Sequence, residues 1–181
     1  MVTAPQPVQP LARGFAPIGD ARARILILGS LPGRKSIEMS QYYAQAQNGF
    51  WRIMDVLFEA GPALPYRARL ERLIAQRIAV WDVLAAGERS GSLDSAIVTS
   101  SIVINDFRTF FARHCSIRLV CFNGAKAAEL YRRKVLPGLP PKVAALDTRV
   151  LPSTSPANAS ISFSNKLTRW SSALTETAGE R

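Results

Sequence analysis

Residues 25–51 read ILILGSLPGRKSIEMSQYYAQAQNGFW, and this stretch decides the fold. Its first four residues form an unbroken apolar run, which is typical of a strand buried on both faces in a parallel sheet. Residues 29–33 follow as a sharp turn, in which two glycines permit close approach of a ligand and Pro32 stiffens the path between them. Ligands of open α/β sheets bind at such strand exits. The stretch therefore predicts a pocket at the carboxyl end of this strand.

Apolar runs and amphipathic segments alternate along the rest of the chain. Three more strands are predicted at residues 77–81, 117–122 and 148–151, and helices at 50–58, 66–76, 105–113 and 125–134, with a closing helix through Trp170. This alternation indicates a single three-layer α/β/α sandwich with a mainly parallel four-stranded central sheet. Residues 1–14 are rich in Pro, Gln and Ala and are expected to form a flexible tail, which leaves the domain over residues 15–175.

The charge of the chain points to its partner. A formal net charge of +10 and a pI near 10.4 favour a polyanion, with nucleic acid ahead of a membrane surface. The basic residues are dispersed over the 181 residues, so DNA contacts are expected from the folded surface. A basic surface without any role in DNA binding remains the alternative.

Several classes of protein are disfavoured by what the sequence offers. No apolar run approaches the roughly 18 residues of a membrane span, and the start MVTAPQPVQP lacks the features of a signal peptide. We expect a soluble, cytoplasmic, nucleoid-associated monomer. His114 and two cysteines are too few soft ligands for a zinc site, so no metal and no cofactor are expected, and both Cys115 and Cys121 are expected to be reduced core residues.

The turn at residues 29–33 does not match a phosphate-binding motif. Its residues fit neither G-x-x-x-x-G-K-[ST] nor G-x-G-x-x-G, which disfavours nucleotide-binding functions. Taken alone, the turn is better explained as a tight strand-to-helix connection. Tyr42 and Tyr43 follow it, and an aromatic face at this place can stack on a base that has been extruded from DNA. Packing in the core is the alternative for both tyrosines.

Two polar residues are candidates for catalysis. Asn48 precedes Gly49 and a predicted helix. Its amide either caps the helix or forms an Asx turn, or it holds water and polarises the bond between sugar and base. Asp82 follows the strand at 77–81, where its carboxylate could accept a hydrogen bond from a base N–H, or cap a turn, or pair with an arginine. Asn123 directly follows the strand at 117–122 and is a further candidate for base binding.

The segment 151–158, LPSTSPAN, offers hydroxyls and restrictive prolines but few charges. Hydroxyl and backbone N–H donors can position DNA phosphates without reading the sequence, and a plain surface loop is the alternative. The polar segment at residues 88–95 has no role that its chemistry alone reveals.

Together these segments resemble the hypoxanthine-DNA glycosylase (DNA-deoxyinosine glycosylase) branch of the uracil-DNA glycosylase superfamily. The resemblance runs from about Phe15 to Trp170. Its motifs occur in family order as ILILGSLPG, YYA and NGFW, VWDVL, GSLDSAI, INDF, CFNGAKAAELY and LPSTSPANA.

The resemblance implies a monofunctional base-excision repair enzyme that acts on DNA containing deaminated bases, without a membrane or metal partner. It implies that the first active-site loop binds the base together with Tyr43, Phe50 and Asn123, and that a second loop grips the DNA strand. The first-loop residues are Gly29, Ser30, Leu31, Pro32 and Gly33, and the second-loop residues are Ser153, Thr154, Ser155, Ala157 and Asn158.

Two departures from the family pattern shape the expected chemistry. Leu31 stands where members that excise uracil usually have Asn or Asp, so the main catalytic role is expected at Asn48, with Asp82 second. Gln45 and Ala46 stand where the branch commonly has His and Pro. Hypoxanthine is the expected base; uracil or xanthine excision, and noncatalytic binding of damaged DNA, are the alternatives.

Overall fold

The computed structural model describes residues 11–91 and 93–176. The strands, numbered in chain order, are β1 (Leu11–Arg13), β2 (Ile25–Gly29), β3 (Ile78–Asp82), β4 (Leu84–Glu88), β5 (Val103–Ile104), β6 (Leu119–Asn123) and β7 (Asp147–Leu151). The α-helices are α1 (Arg34–Met39), α2 (Phe50–Phe58), α3 (Tyr66–Ala75), α4 (Phe107–Arg113), α5 (Ala125–Leu130), α6 (Pro141–Ala144) and α7 (Phe163–Glu176). A π-helical turn, Tyr131–Val135, continues α5.

The central sheet has four strands in the order β3-β2-β6-β7, and every neighbouring pair is parallel. All residues of β2, β3 and β6 are buried, which requires that both faces of the sheet are covered. The predicted α/β architecture with a four-stranded parallel sheet is confirmed.

The register of this sheet places the strand exits side by side. Gly29 at the end of β2 pairs with Asp82 at the end of β3, and Asn123 at the end of β6 pairs with Leu151 at the end of β7. Because the strands are parallel, all four carboxyl ends lie on one edge of the sheet. The side chains that the sequence singled out at these exits are thereby brought together.

A second, three-stranded antiparallel sheet of order β1-β4-β5 was not predicted. Leu11–Arg13, placed in the predicted tail, instead pair with Ala86–Glu88, and residues 1–10 lie outside the described residues. The Ala/Gly-rich β4 carries no strand pattern of its own. It is extended because β1 and β5 supply hydrogen-bond partners on its two sides.

The core confirms the amphipathic pattern of α2. Phe50, Ile53 and Met54 are fully buried on one face, while Val56 is 62% exposed on the other. The prediction of two core thiols is wrong for Cys115, which is exposed because it lies in the connection between α4 and β6; Cys121 is buried. Within the described ranges, no helix is long and apolar enough to cross a membrane.

Ile53→Ala is expected to lower the free energy of unfolding by about 3 kcal/mol, because it removes a fully buried side chain and leaves a cavity. Urea denaturation measures the change. Val56→Ala on the exposed face of the same helix is the matched control, with an expected change within about 0.5 kcal/mol. Similar losses in both variants would contradict the assignment of the buried face.

Candidate active site

A cavity of about 720 Å³ opens at the carboxyl edge of the central sheet. Its walls come from the first loop, residues 29–33, the second loop, residues 151–158, and the segment that carries Tyr43 and Asn48. Asp82 and Asn123 line it from their strand ends. The structure therefore gathers most of the predicted site residues around one space, at the edge where the parallel topology predicts it.

Asp82 is a buried carboxyl group, only 4% exposed. Its Oδ2 atom has no hydrogen-bond partner among the described residues. Burial and, secondarily, nearby Asp94 raise the pKa of Asp82 to about 8, against the opposing effect of Arg89. The sequence suggested a carboxylate, but at neutral pH the structure favours a neutral carboxyl group, which can both donate and accept a hydrogen bond.

Gly29 leaves the room that this carboxyl group occupies. A Cβ atom added to Gly29 would overlap Asp82 Oδ1 and would lie 3.2 Å from the Tyr43 hydroxyl. The glycine predicted for close approach of a ligand thus has a second use, which is to admit the carboxyl group of its neighbour strand.

Tyr43 forms an aromatic wall of the cavity. Its ring stacks on Phe50 with centroids 4.0 Å apart and planes at 23°, and its backbone adopts a left-handed conformation with φ of 54°. The buried hydroxyl has no hydrogen-bond partner in the described chain, and burial followed by the nearby Asp82 raises the pKa of Tyr43. A left-handed tyrosine is strained, so the surrounding contacts must hold Tyr43 in this conformation.

Phe50 does not line the cavity. It is fully buried, and it supports the Tyr43 ring from behind. The structure thus places Phe50 behind Tyr43, and the base contact that the family resemblance implied stays a prediction. Tyr42 is also buried, and its carbonyl oxygen accepts a hydrogen bond from Trp51 Nε1 at 2.9 Å.

Asn48 both forms a local turn and faces the cavity. Its Oδ1 accepts the Phe50 N–H at 3.0 Å, which is the Asx turn considered as an alternative from the sequence. The half-buried side chain also lines the cavity. With Oδ1 engaged by the backbone, the Nδ2 amino group is the part of this amide that is left as a donor.

Asn123 ties the second loop to the sheet. Its Nδ2 donates to Thr154 Oγ1 at 2.9 Å, and its Oδ1 accepts the Thr154 N–H at 2.8 Å. Thr154 is 1% exposed, so this pair is sequestered from water. The base-binding role predicted for Asn123 would have to use its remaining N–H and lone pair.

Lys166 holds the second loop from the other side. This lysine of α7 is buried, and it donates to the carbonyl oxygen of Asn158 at 2.8 Å and to that of Ser155 at 3.5 Å. Burial lowers its pKa. Ser153 and Ser155 hydroxyls accept the backbone N–H groups of Ser155 and Ala157, both at 3.2 Å. The loop that was predicted to contact DNA is therefore preorganised.

Three buried or half-buried charges of the site were missed from the sequence, namely Arg89, Asp94 and Lys166. Arg89 and Asp94 lie in the polar segment to which no role was assigned, and they contact the first loop across more than 50 residues of sequence. Lys166 is an ordinary helical lysine in the sequence. No local pattern distinguishes any of them.

The described residues contain no group of three or more His, Cys, Asp or Glu side chains that could hold a metal ion. The polar groups around the cavity are three carboxyl groups, four side-chain amides, two basic side chains and several hydroxyls and backbone N–H groups. The charged and amide residues are Glu38, Asp82, Asp94, Gln45, Asn48, Asn123, Asn158, Arg34 and Lys35. Such a set can bind a polar heterocycle by stacking and hydrogen bonding.

Comparison with known proteins shows which family has this fold and site. Residues 16–176 match the family model of the uracil DNA glycosylase superfamily. A Methanosarcina acetivorans protein named hypoxanthine DNA glycosylase is 40% identical over 161 residues, which is 88% of this chain and 96% of the relative. A protein of the same name from Methanosarcina barkeri is 41% identical over 118 residues, covering 65% and 73% of the two chains.

The fold has a close counterpart among solved structures. The solution NMR structure of a candidate uracil DNA glycosylase from M. acetivorans superimposes with a TM-score of 0.75 at 38% identity, over 92% of this chain and 98% of that one. The family model, the relatives and the fold agree over nearly the whole described domain. The chain belongs to the uracil DNA glycosylase superfamily.

Proposed function

We propose that this protein is a base-excision repair glycosylase that extrudes a deaminated base, foremost the hypoxanthine of deoxyinosine, and hydrolyses its N-glycosidic bond to leave an abasic site. The observation that carries the proposal is the buried Asp82 carboxyl group beside the Tyr43 ring, at the edge of the sheet where α/β proteins bind ligands. The names of the two Methanosarcina relatives support hypoxanthine as the base.

Tyr43 supplies the stacking surface in this proposal. One face of its ring is covered by Phe50, and the ring borders the cavity. A base that leaves the duplex loses stacking worth a few kcal/mol, and an aromatic partner returns part of it. The rigid Phe50 support and the left-handed backbone hold Tyr43 ready before the base arrives.

Asp82 recognises the edge of the base. Hypoxanthine, like uracil and xanthine, carries an N–H beside a carbonyl group. A neutral carboxyl group matches that pair, because its carbonyl oxygen accepts the N–H while its O–H donates to the base oxygen. Since charge on the departing base is negative, the O–H hydrogen bond strengthens as the bond to the sugar breaks.

Asn48 acts at the sugar side. An amide cannot remove a proton from water as a carboxylate does, so its contribution is positioning and stabilisation of charge. Its Nδ2 group donates toward the cavity while Oδ1 remains bound to the backbone. Water held near Asn48 then completes the hydrolysis of a bond that breaks with cationic character on the sugar.

The second loop holds the DNA strand. Ser153, Ser155 and Asn158 carry hydrogen-bonding side chains on the cavity wall, and Ala157 is the small residue at the place of the wedge. Phosphate contacts of this kind position the strand. The net charge of +10 adds a nonspecific attraction that weakens with salt.

Asn48→Ala is expected to slow hypoxanthine release on the order of 100-fold, because one donor to the transition state is lost. Release is measured under single-turnover conditions, by alkaline cleavage of a duplex that contains one deoxyinosine. Asn48→Ser keeps an oxygen that can accept the Phe50 N–H, so an equally slow Asn48→Ser separates catalysis from the Asx turn. Gln47→Ala, which removes the exposed amide next to Asn48, is the control and should keep the wild-type rate. Unchanged cleavage by Asn48→Ala would refute the catalytic role of Asn48.

The rate of base release is expected to fall as the pH rises through about 8, because Asp82 then loses its proton and its O–H donor. Asp82→Asn keeps one donor and one acceptor and cannot ionise. The pH profile of the variant, on the same substrate, should lack the part of this decline that belongs to Asp82. Superimposable profiles would show that Asp82 does not titrate in the reaction.

The same pKa predicts a pH dependence of stability that needs no substrate. The folded pKa, about 8, lies above the ordinary value of 3.8, so the folded state binds more protons between these values. The free energy of unfolding therefore falls as the pH rises through this window. Urea denaturation at several pH values should show a smaller decline for Asp82→Asn than for wild type, and equal declines would contradict the buried, protonated carboxyl group.

A further inference from the structure

Every backbone carbonyl group of the first loop accepts a hydrogen bond from within the protein. Three of the donors are backbone N–H groups and two belong to one side chain. The N–H of Val83 donates to Gly29 at 2.9 Å, that of Leu84 to Ser30 at 3.0 Å and that of Ile37 to Gly33 at 3.1 Å, and the Arg89 guanidinium donates to both Leu31 and Pro32.

The Arg89 guanidinium donates hydrogen bonds to two carbonyl groups of this loop. Its side chain is 2% exposed, NH1 lies 3.2 Å from the Leu31 carbonyl oxygen, and NH2 bonds the carbonyl oxygen of Pro32. Its Nε atom is buried without a partner among the described residues. Burying a guanidinium is costly, and its planar fork presents donors from two nitrogens that suit two successive carbonyl groups.

Asp94 completes the arrangement. It lies 3.8 Å from Arg89 NH1 and accepts the Ser30 hydroxyl at 2.6 Å. Its side chain is 42% exposed, so the pair does not neutralise Arg89 as a fully buried carboxylate would. Three consecutive residues of the loop are thus tied to Asp94, which lines the cavity, and to Arg89, which is not among its lining residues.

Beyond Gly29, the backbone N–H groups of the first loop, unlike its carbonyl groups, have no hydrogen-bond partner among the described residues. In the described part of the chain, the N–H groups of Ser30, Leu31 and Gly33 have no hydrogen-bond acceptor, and Pro32 has no N–H. The loop lines the cavity. Because the carbonyl groups of the loop are already hydrogen-bonded, the loop can offer a ligand its N–H donors. The buried positive charge of Arg89 lies behind them, and such an arrangement suits an electron-rich group.

We propose that Arg89 is a positioning residue for base release, which holds the Leu31 and Pro32 peptide groups so that the N–H groups of the loop can donate to the departing base. This inference rests on the proposed glycosylase function. Arg89 does not touch the substrate, because it acts through the loop. Its charge also favours ionisation of Asp82, whereas the charge of Asp94 opposes it. The nearby hydroxyls of Tyr42 and Tyr43 are neutral.

The test compares Arg89→Gln and Arg89→Lys with wild type in single-turnover cleavage of a deoxyinosine duplex. Arg89→Gln is expected to lower the rate of the chemical step by about 10- to 100-fold with little change in DNA affinity, because loop geometry changes and DNA contacts do not. Arg89→Lys should recover part of the loss. The alkaline decline of the rate should move to higher pH in Arg89→Gln but not in Arg89→Lys, an effect that loosened packing alone would not produce.

Arg133→Gln is the matched control, since this 74% exposed arginine pairs only with Glu129 among the described residues and should keep the wild-type rate. If Arg89→Gln does not fold, Asp94→Asn tests the same set of contacts, because Asp94 is the more exposed partner of Arg89. The expected result is a several-fold lower rate of base release. A folded Arg89→Gln with the wild-type rate, or a loss confined to DNA affinity, would overturn the inference.

Hydrogen exchange provides a readout that does not need activity. The amides of Val83, Leu84 and Ile37 donate to the loop, so their protection should drop in Arg89→Gln if Arg89 holds the loop in place. Unchanged protection would contradict the inference even if wild type releases no base. Absence of base release from wild type, with lowered protection in the variant, would instead refute the proposed function and leave Arg89 as the residue that fixes the loop.

Discussion

The burial of one carboxyl group at the edge of the central sheet is the constraint on which the site depends. Asp82 lies there because its strand ends beside β2 in register, and Gly29 is needed opposite it because any side chain would overlap Oδ1. The low dielectric that raises its pKa also makes every nearby charge matter, so Asp94 and Arg89 set its protonation from opposite directions. At neutral pH the Asp82 carboxyl group therefore keeps its proton, and its O–H group is a hydrogen-bond donor.

Two buried cations hold the two loops that line the cavity together with this carboxyl group. Arg89 binds carbonyl groups of the first loop, and Lys166 binds those of the second. The Asn123–Thr154 pair and the bond from Gly49 N–H to the Thr154 carbonyl at 2.9 Å join the second loop to the rest of the cavity wall. A site that must stabilise charge as it develops gains from such rigidity, because its dipoles need not reorganise during the reaction.

Local pattern predicted the central sheet and the segments that meet at its edge, since an unbroken apolar run or an amphipathic helix reports its own burial. It failed for β4, whose Ala/Gly-rich residues are extended only by their partners, and for Arg89, whose contacts lie 57 and 58 residues away. At Asn48 the structural alternative is formed, because the side-chain oxygen accepts a backbone N–H; the residue also lines the cavity, and its catalytic role stays a prediction. Protonation of Asp82 follows from burial and was not accessible from the sequence.

The central claim is that this cavity releases a deaminated base from DNA. The most direct measurement is base release by the wild-type chain from matched duplexes that carry hypoxanthine, xanthine, uracil or adenine at one position. The account predicts release of deaminated bases, fastest for hypoxanthine, and none for adenine. Binding that depends on the lesion without release of any base, at any enzyme concentration, would contradict it.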